Sequence, residues 1–267
     1  MLVLLAALAS VALLAAELPR ATTHGARERD VSAWTSPNAR PLSDSQAAAL
    51  VTRRPETRPA NAVANRYVPG AAELAAFHAA QGRARRTGGL DNPLTAYVTG
   101  RSGIVHPSTD DLIQWVSHKW GIPTDWIRAD MVVESDWKQS QRGDLTTVSA
   151  PHYALYPGFS RVAGSSNVYA SLGIAQVKWL TDGSVGPGTE PLRWQSTAFN
   201  LDYFAATVRY YYDGYCSWCE GRYHAGQRWN SIGAWDSPQP WEDAKSRAYI
   251  SVVQAALDGR AWTHLGD

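Results

Sequence analysis

Four segments in the second half of the chain share most of one grammar: a capping residue, apolar side chains at helical spacing and a glycine stop. HPSTDDLIQWVSHKWG offers Ser108 or Thr109 as N-cap, Asp110 and Asp111 in the first turn where the helix dipole favours acids, and Leu112, Trp115, Val116 and Lys119 at helical spacing before Gly121. PTDWIRADMVVESDW starts at Thr124 and sets Ile127, Met131 and Glu134 about a turn apart on neighbouring faces. STAFNLDYFAATVRYYYDG is capped by Ser196, carries the stripe Ala198, Leu201, Ala205, Val208 and Tyr212, and stops at Gly214. WEDAKSRAYISVVQAALDG repeats Ala248, Val252, Ala255 and Ala256 up to Gly259. No run alternates with a period of two for long, so the expected fold is mainly α with at most a small irregular lobe. Eleven of the 12 tryptophans follow residue 110, which places the globular domain at 105–267.

The first hundred residues read differently. Residues 1–16 form an apolar run that is too short to span a bilayer, at about 20 residues, and suits a signal-peptide core or an anchor. Residues 17–104 are rich in Ala, Arg and Pro. Between 17 and 100 there are 11 arginines against seven acids, a charge of +4 that leaves −3 for the remainder. With one tryptophan and few large apolar side chains, this stretch reads as a linker carrying two short helices, 42–51 with Ser43 or Asp44 as cap and 71–83 with Leu74, Phe77 and His78 on one face.

The net charge of +1 gives no sign of the concentrated positive charge that nucleic acid binding draws on, so no nucleic-acid partner is expected. Tryptophan and tyrosine, 12 of each against four phenylalanines, join a flat apolar face to a hydrogen-bonding edge, which suits sugar rings as well as cores. Neither a phosphate loop (GxxxxGK[ST] or GxGxxG) nor a GxSxG elbow is present. The seven histidines lack paired spacing, so neither a metal site nor a cofactor is expected. In an exported chain, Cys216 and Cys219 of YCSWCEG form a disulfide that stiffens a turn, since a redox CxxC wants a preceding strand.

The residue with chemical promise is Glu134 in MVVESDW, which follows Met131, Val132 and Val133 at the end of an apolar helix, where desolvation raises a carboxyl pKa. ESDW, then SLGIAQVKW, the capped helix from Ser196 and finally WNSIGAWDSPQPW with AYISVVQ resemble, in that order, the soluble lytic transglycosylase domain of the lysozyme-like superfamily. The resemblance spans about residues 108–257. Glu134, Ser135 and Trp137 fill the positions of the family's catalytic glutamate, its serine and an aromatic. Gly173, Ile174, Ala175 and Gln176 meet its G-[LI]-M-Q motif with alanine for methionine. Its A-Y-N-x-G motif is met loosely by Ala234, Trp235, Asp236 and Ser237, with Pro238 in place of glycine. The stretch 145–168 stands as an inserted loop able to rim or cover the cleft. Trp235 lacks the hydroxyl that a family tyrosine would offer the glutamate, and Asp236 adds a second carboxylate.

The resemblance implies an exported bacterial enzyme of the cell envelope whose partner is the peptidoglycan glycan strand. Glu134 would protonate the oxygen between N-acetylmuramic acid and N-acetylglucosamine, then accept the proton of the muramyl C6 hydroxyl as a 1,6-anhydro ring closes. Ser135 and Gln176 would supply polar contacts, Gly173 and Ile174 a close backbone approach, and Trp137, Trp179 and Trp235 stacking or the cleft wall. Two alternatives stand beside this. One is a hydrolytic lysozyme of the same fold, in which Asp144, Asp182 or Asp236 holds a water; the other is a wall-binding protein without turnover. Any membrane contact would be through an uncleaved N-terminal segment.

Overall fold

A computed structural model describes residues 33–86, 92–238 and 244–265. Its helices are α1 Asp44–Ala48, α2 Ala62–Asn65, α3 Ala71–Arg86, α4 Thr109–Trp120, α5 Thr124–Ser135, α6 Ala150–Tyr153, α7 Leu192–Gln195, α8 Thr197–Tyr212, α9 Arg228–Asp236 and α10 Ala244–Asp258. Three short strands, β1 Arg142–Thr147, β2 Asn167–Leu172 and β3 Val177–Lys178, form one antiparallel sheet in the order β1-β2-β3. The chain is thus mainly helical, as its spacing implies. The apolar run 1–16 lies outside the described residues, among which no helix is long and apolar enough to cross a membrane.

The expected caps form. Ser108 accepts from the Asp111 amide while Asp111 accepts from the Ser108 amide, and Gly121 ends α4 in the left-handed conformation. Ser196 accepts from the Phe199 amide at the start of α8. The stripe expected on α8 understates its burial: every residue of the helix except Thr207 is buried, the pattern of a helix enclosed on all sides. Helices α4 and α9 and the turn Pro93–Tyr97 enclose it.

The linker reading of 17–104 fails from Trp34 onward. Trp34 is buried against Trp126 and Tyr212, and Phe77 of α3 is wholly buried with its ring 5.0 Å from that of Phe199. Polar ties finish the attachment. Lys119 Nζ donates to Asp44 (2.7 Å) and to the enclosed Asp202 (2.8 Å), and the amides of Thr99 and Gly100 donate to the same Asp202 oxygen. A Cβ on Gly121 would fall 2.2 Å from the Thr35 side chain, so α4 ends in a glycine partly because this segment lies across it. A few large anchors and buried ion pairs hold the segment, although the mean apolar content suggested that it would not pack.

The stretch 145–168, expected to be a loop, is largely the connection between two strands, with the end of β1 and the start of β2 at its margins. β1 pairs with β2 from Arg142 opposite Leu172 to Thr147 opposite Asn167, with α6 and the turn Gly158–Ser160 between them. Each strand alone is too short to show a period, and the pairing that creates it is 20 to 30 residues away in sequence.

Candidate active site

Helix α5 carries Asp130 and Glu134 one turn apart on the side that meets α10, since side chains four residues apart share a helix face. Between them comes the hydroxyl of Tyr249 from α10. It lies 2.7 Å from Asp130 Oδ1 and also hydrogen-bonds Glu134 Oε1. Asp130 is wholly enclosed, and its Oδ2 has no hydrogen-bond partner. Glu134 keeps part of its surface on solvent, and its Oε2 makes no hydrogen bond among the described residues.

Burial dominates the electrostatics. It pushes the Asp130 carboxyl up to about 7 against the opposing hydrogen bond from Tyr249, with the charge of Asp236 adding to the rise. It lifts Glu134 well above the usual carboxylate range, helped by the charge of Asp130 and, more weakly, by those of Asp236 and Asp144, while the Tyr249 hydrogen bond opposes it. Burial and the two carboxylates likewise raise the Tyr249 phenol well above its ordinary value.

Two further carboxylates border this group. Asp236, the last residue of α9, pairs with Lys245 of α10 at 3.3 Å. Asp144 of β1 accepts from Ser171 (2.8 Å) and lies 3.2 Å from Lys178 Nζ. Burial works against its ionisation, but the Ser171 hydrogen bond and the Lys178 charge hold it below the usual range. Glu134 is therefore the carboxyl suited to act as an acid, and Asp144 is the one that stays ionised.

Several expected substrate contacts prove to be framework. Ser135 donates to the Ile174 carbonyl (2.7 Å) and is buried, tying the end of α5 to the turn between β2 and β3. Ile174 is wholly enclosed, with its amide bonded to Gln139 Oε1. Trp137 is 3% exposed and donates to the Arg128 carbonyl, which makes it core rather than cleft wall. Gly173 has φ +91°, and a Cβ there would sit 2.1 Å from Asn200 Nδ2, so the glycine serves close packing against α8 rather than approach to a ligand. Gln176 is half-buried and spends its amide on the Gly173 carbonyl.

Trp235 is half-buried and donates to the Ala175 carbonyl. Trp179 packs edge-on to Tyr156 and lines a cavity of about 320 Å³ with Ala80, Arg83 and Pro187, which none of these four carboxylates borders. Asp236 does come to the site. Of the alternative carboxylates, exposed Asp182 is occupied by Ser184. Cys216 and Cys219 are joined in a disulfide.

Asp130 and Tyr249 escaped the sequence reading. The signals were present as a D-x-x-x-E spacing in RADMVVE and a lone tyrosine in SRAYIS, and only the packing of α10 on α5 joins them. The hydroxyl that meets Glu134 is that of Tyr249, while the Trp235 indole is spent on the Ala175 carbonyl. Comparison with protein-family models, with curated proteins and with solved structures finds no match.

Proposed function

We propose that this chain is an exported peptidoglycan lytic transglycosylase of the lysozyme-like kind, with Glu134 as its single acid and base. The observation that carries the reading is a partly buried glutamate at the end of α5 with Tyr249 on one carboxyl oxygen and, among the described residues, no hydrogen bond on the other, in surroundings whose burial raises its carboxyl well above the usual range. In this reaction the Glu134 proton passes to the bridging oxygen as the muramyl C1–O bond breaks. The muramyl C6 oxygen then bonds to C1 and its proton goes to the Glu134 carboxylate, so no water is consumed. A placed proton donor supplies on the order of 10²–10⁴ in rate.

Asp144 favours a second reading, hydrolysis. A carboxylate kept ionised beside a carboxyl kept protonated is the usual glycosidase pair. Mass spectrometry of soluble products from purified peptidoglycan, using the full chain and its Glu134→Gln variant, decides. Anhydromuropeptides from the parent alone support the proposal. Products heavier by one water and lost in the variant give the hydrolase. Sedimentation with the wall and no product from either protein refutes turnover and leaves a binding protein.

A further inference from the structure

A phenol has one proton, and Tyr249 Oη touches two carboxyl oxygens. It can donate to only one of them, so the other contact needs a proton of its own, supplied by a carboxylic acid. Two arrangements satisfy both contacts. In one, Glu134 Oε1 carries the proton and Tyr249 donates to Asp130; in the other, Asp130 carries it and Tyr249 donates to Glu134. The first puts the Glu134 proton on the oxygen turned away from any substrate.

It also leaves a full charge on Asp130, the more deeply enclosed of the two, whose Oδ2 has no hydrogen-bond partner and which makes no ion pair among the described residues. An uncompensated buried carboxylate is far costlier than a buried acid carbonyl. The second arrangement leaves Glu134, the less enclosed residue of the two, as the group that gains and loses charge.

We propose that Asp130 is a positioning residue held as the neutral acid, donating to Tyr249 Oη and so directing the phenolic proton at Glu134 Oε1. The proton Glu134 exchanges with substrate then stays on Oε2, and the carboxylate left after transfer meets a hydroxyl already aimed at it. The inference rests on the glycosidic reading above only for its consequence in catalysis. The other charged groups bordering the pair are Asp236 on α9, Asp144 on β1, Lys178 on β3 and Lys245 on α10.

The direct test needs no substrate. Infrared spectra of the full chain in ²H₂O at pH 6 are expected to show a carboxylic-acid carbonyl band that Asp130→Asn loses. Equal intensity in parent and variant overturns the inference. Should that variant misfold, ¹³Cγ-aspartate labelling of the parent and of Glu134→Gln replaces it, with an aspartic acid titrating near pH 7 expected and its absence overturning the proposal.

In wall cleavage, Asp130→Asn swaps one neutral donor for another and is expected to rescue most of the activity that a donor-less variant loses, with an unchanged Glu134 limb in the pH profile. Asp130→Leu, which has no donor, is expected to lose about tenfold to a hundredfold. An Asp130→Asn profile displaced by about one to three pH units would mean that a charge had been removed, which contradicts a neutral Asp130. If the wall assay fails while the infrared band behaves as stated, the functional reading falls and this inference stands.

Discussion

A carboxyl that is protonated in the fold and ionised in the unfolded chain makes stability fall as pH rises, the reverse of a salt-bridged aspartate. Asp130 goes from an ordinary value of 3.8 to about 7 on folding. Below pH 3.8 both states hold the proton. Between about 4 and 7 the native state binds more protons than the unfolded state, so unfolding stability declines with pH. The difference of about three units, at about 1.4 kcal/mol each, amounts to about 4 kcal/mol of stability present at pH 4 and gone by pH 8.

That is a large share of the roughly 5–15 kcal/mol typical of a domain. Glu134 pushes in the same direction, while Asp144, whose carboxyl is held low, acts only below about pH 4 and with the opposite sign. The contribution of Asp130 is therefore read as the difference between the parent and Asp130→Asn. In urea titrations at pH 4.5, 6 and 8, with a slope of about 2–3 kcal/mol per molar, the parent midpoint is expected to drop by roughly 1–2 M more than the variant's. Parallel pH dependences would refute the view that Asp130 is buried with its proton.

The attachment of the N-terminal segment is tested at Asp202, whose carboxylate takes the Lys119 ammonium, the Trp120 indole N–H and two backbone amides from 99–100. Asp202→Asn leaves the enclosed Lys119 with its charge half compensated and is expected to cost about 3–5 kcal/mol in urea unfolding; a loss under 1 kcal/mol would mean that the segment is held by its apolar anchors alone. Gly173→Ala places a methyl on Asn200 and on the Arg193 carbonyl at a positive φ. It is expected to destabilise by about 1–3 kcal/mol and to lower activity through a displaced 173–176 turn. Full retention of the thermal midpoint would show that α8 yields at that point.

What the sequence made legible was local. Ser108 with Asp111, Ser196 and Gly121 mark helix ends by chemistry acting within a few residues, and the helices begin and end there. Glu134 was legible because apolar residues precede it directly in the chain at the end of a helix. What stayed hidden depends on contacts between distant residues. β1 and β2 become strands by pairing with each other. Phe77 counts as core only once Phe199, 122 residues later, stands opposite it.

The same limit explains the errors at the site. Ser135, Trp137 and Gly173 stand where a substrate contact was expected, yet each is used up by a backbone carbonyl or a neighbouring helix, leaving no free group for a sugar. Tyr249 approaches Glu134 from a helix more than a hundred residues further on, and Asp130 becomes unusual only once the fold buries it. A motif can therefore nominate the acid, but the burial that raises its carboxyl and the phenol that occupies one of its oxygens come from packing the motif does not contain. Asp130→Asn should consequently alter the pH dependence of stability, and Tyr249→Phe that of activity, more than substitutions at the motif serine or tryptophan, whose loss should lower stability at every pH.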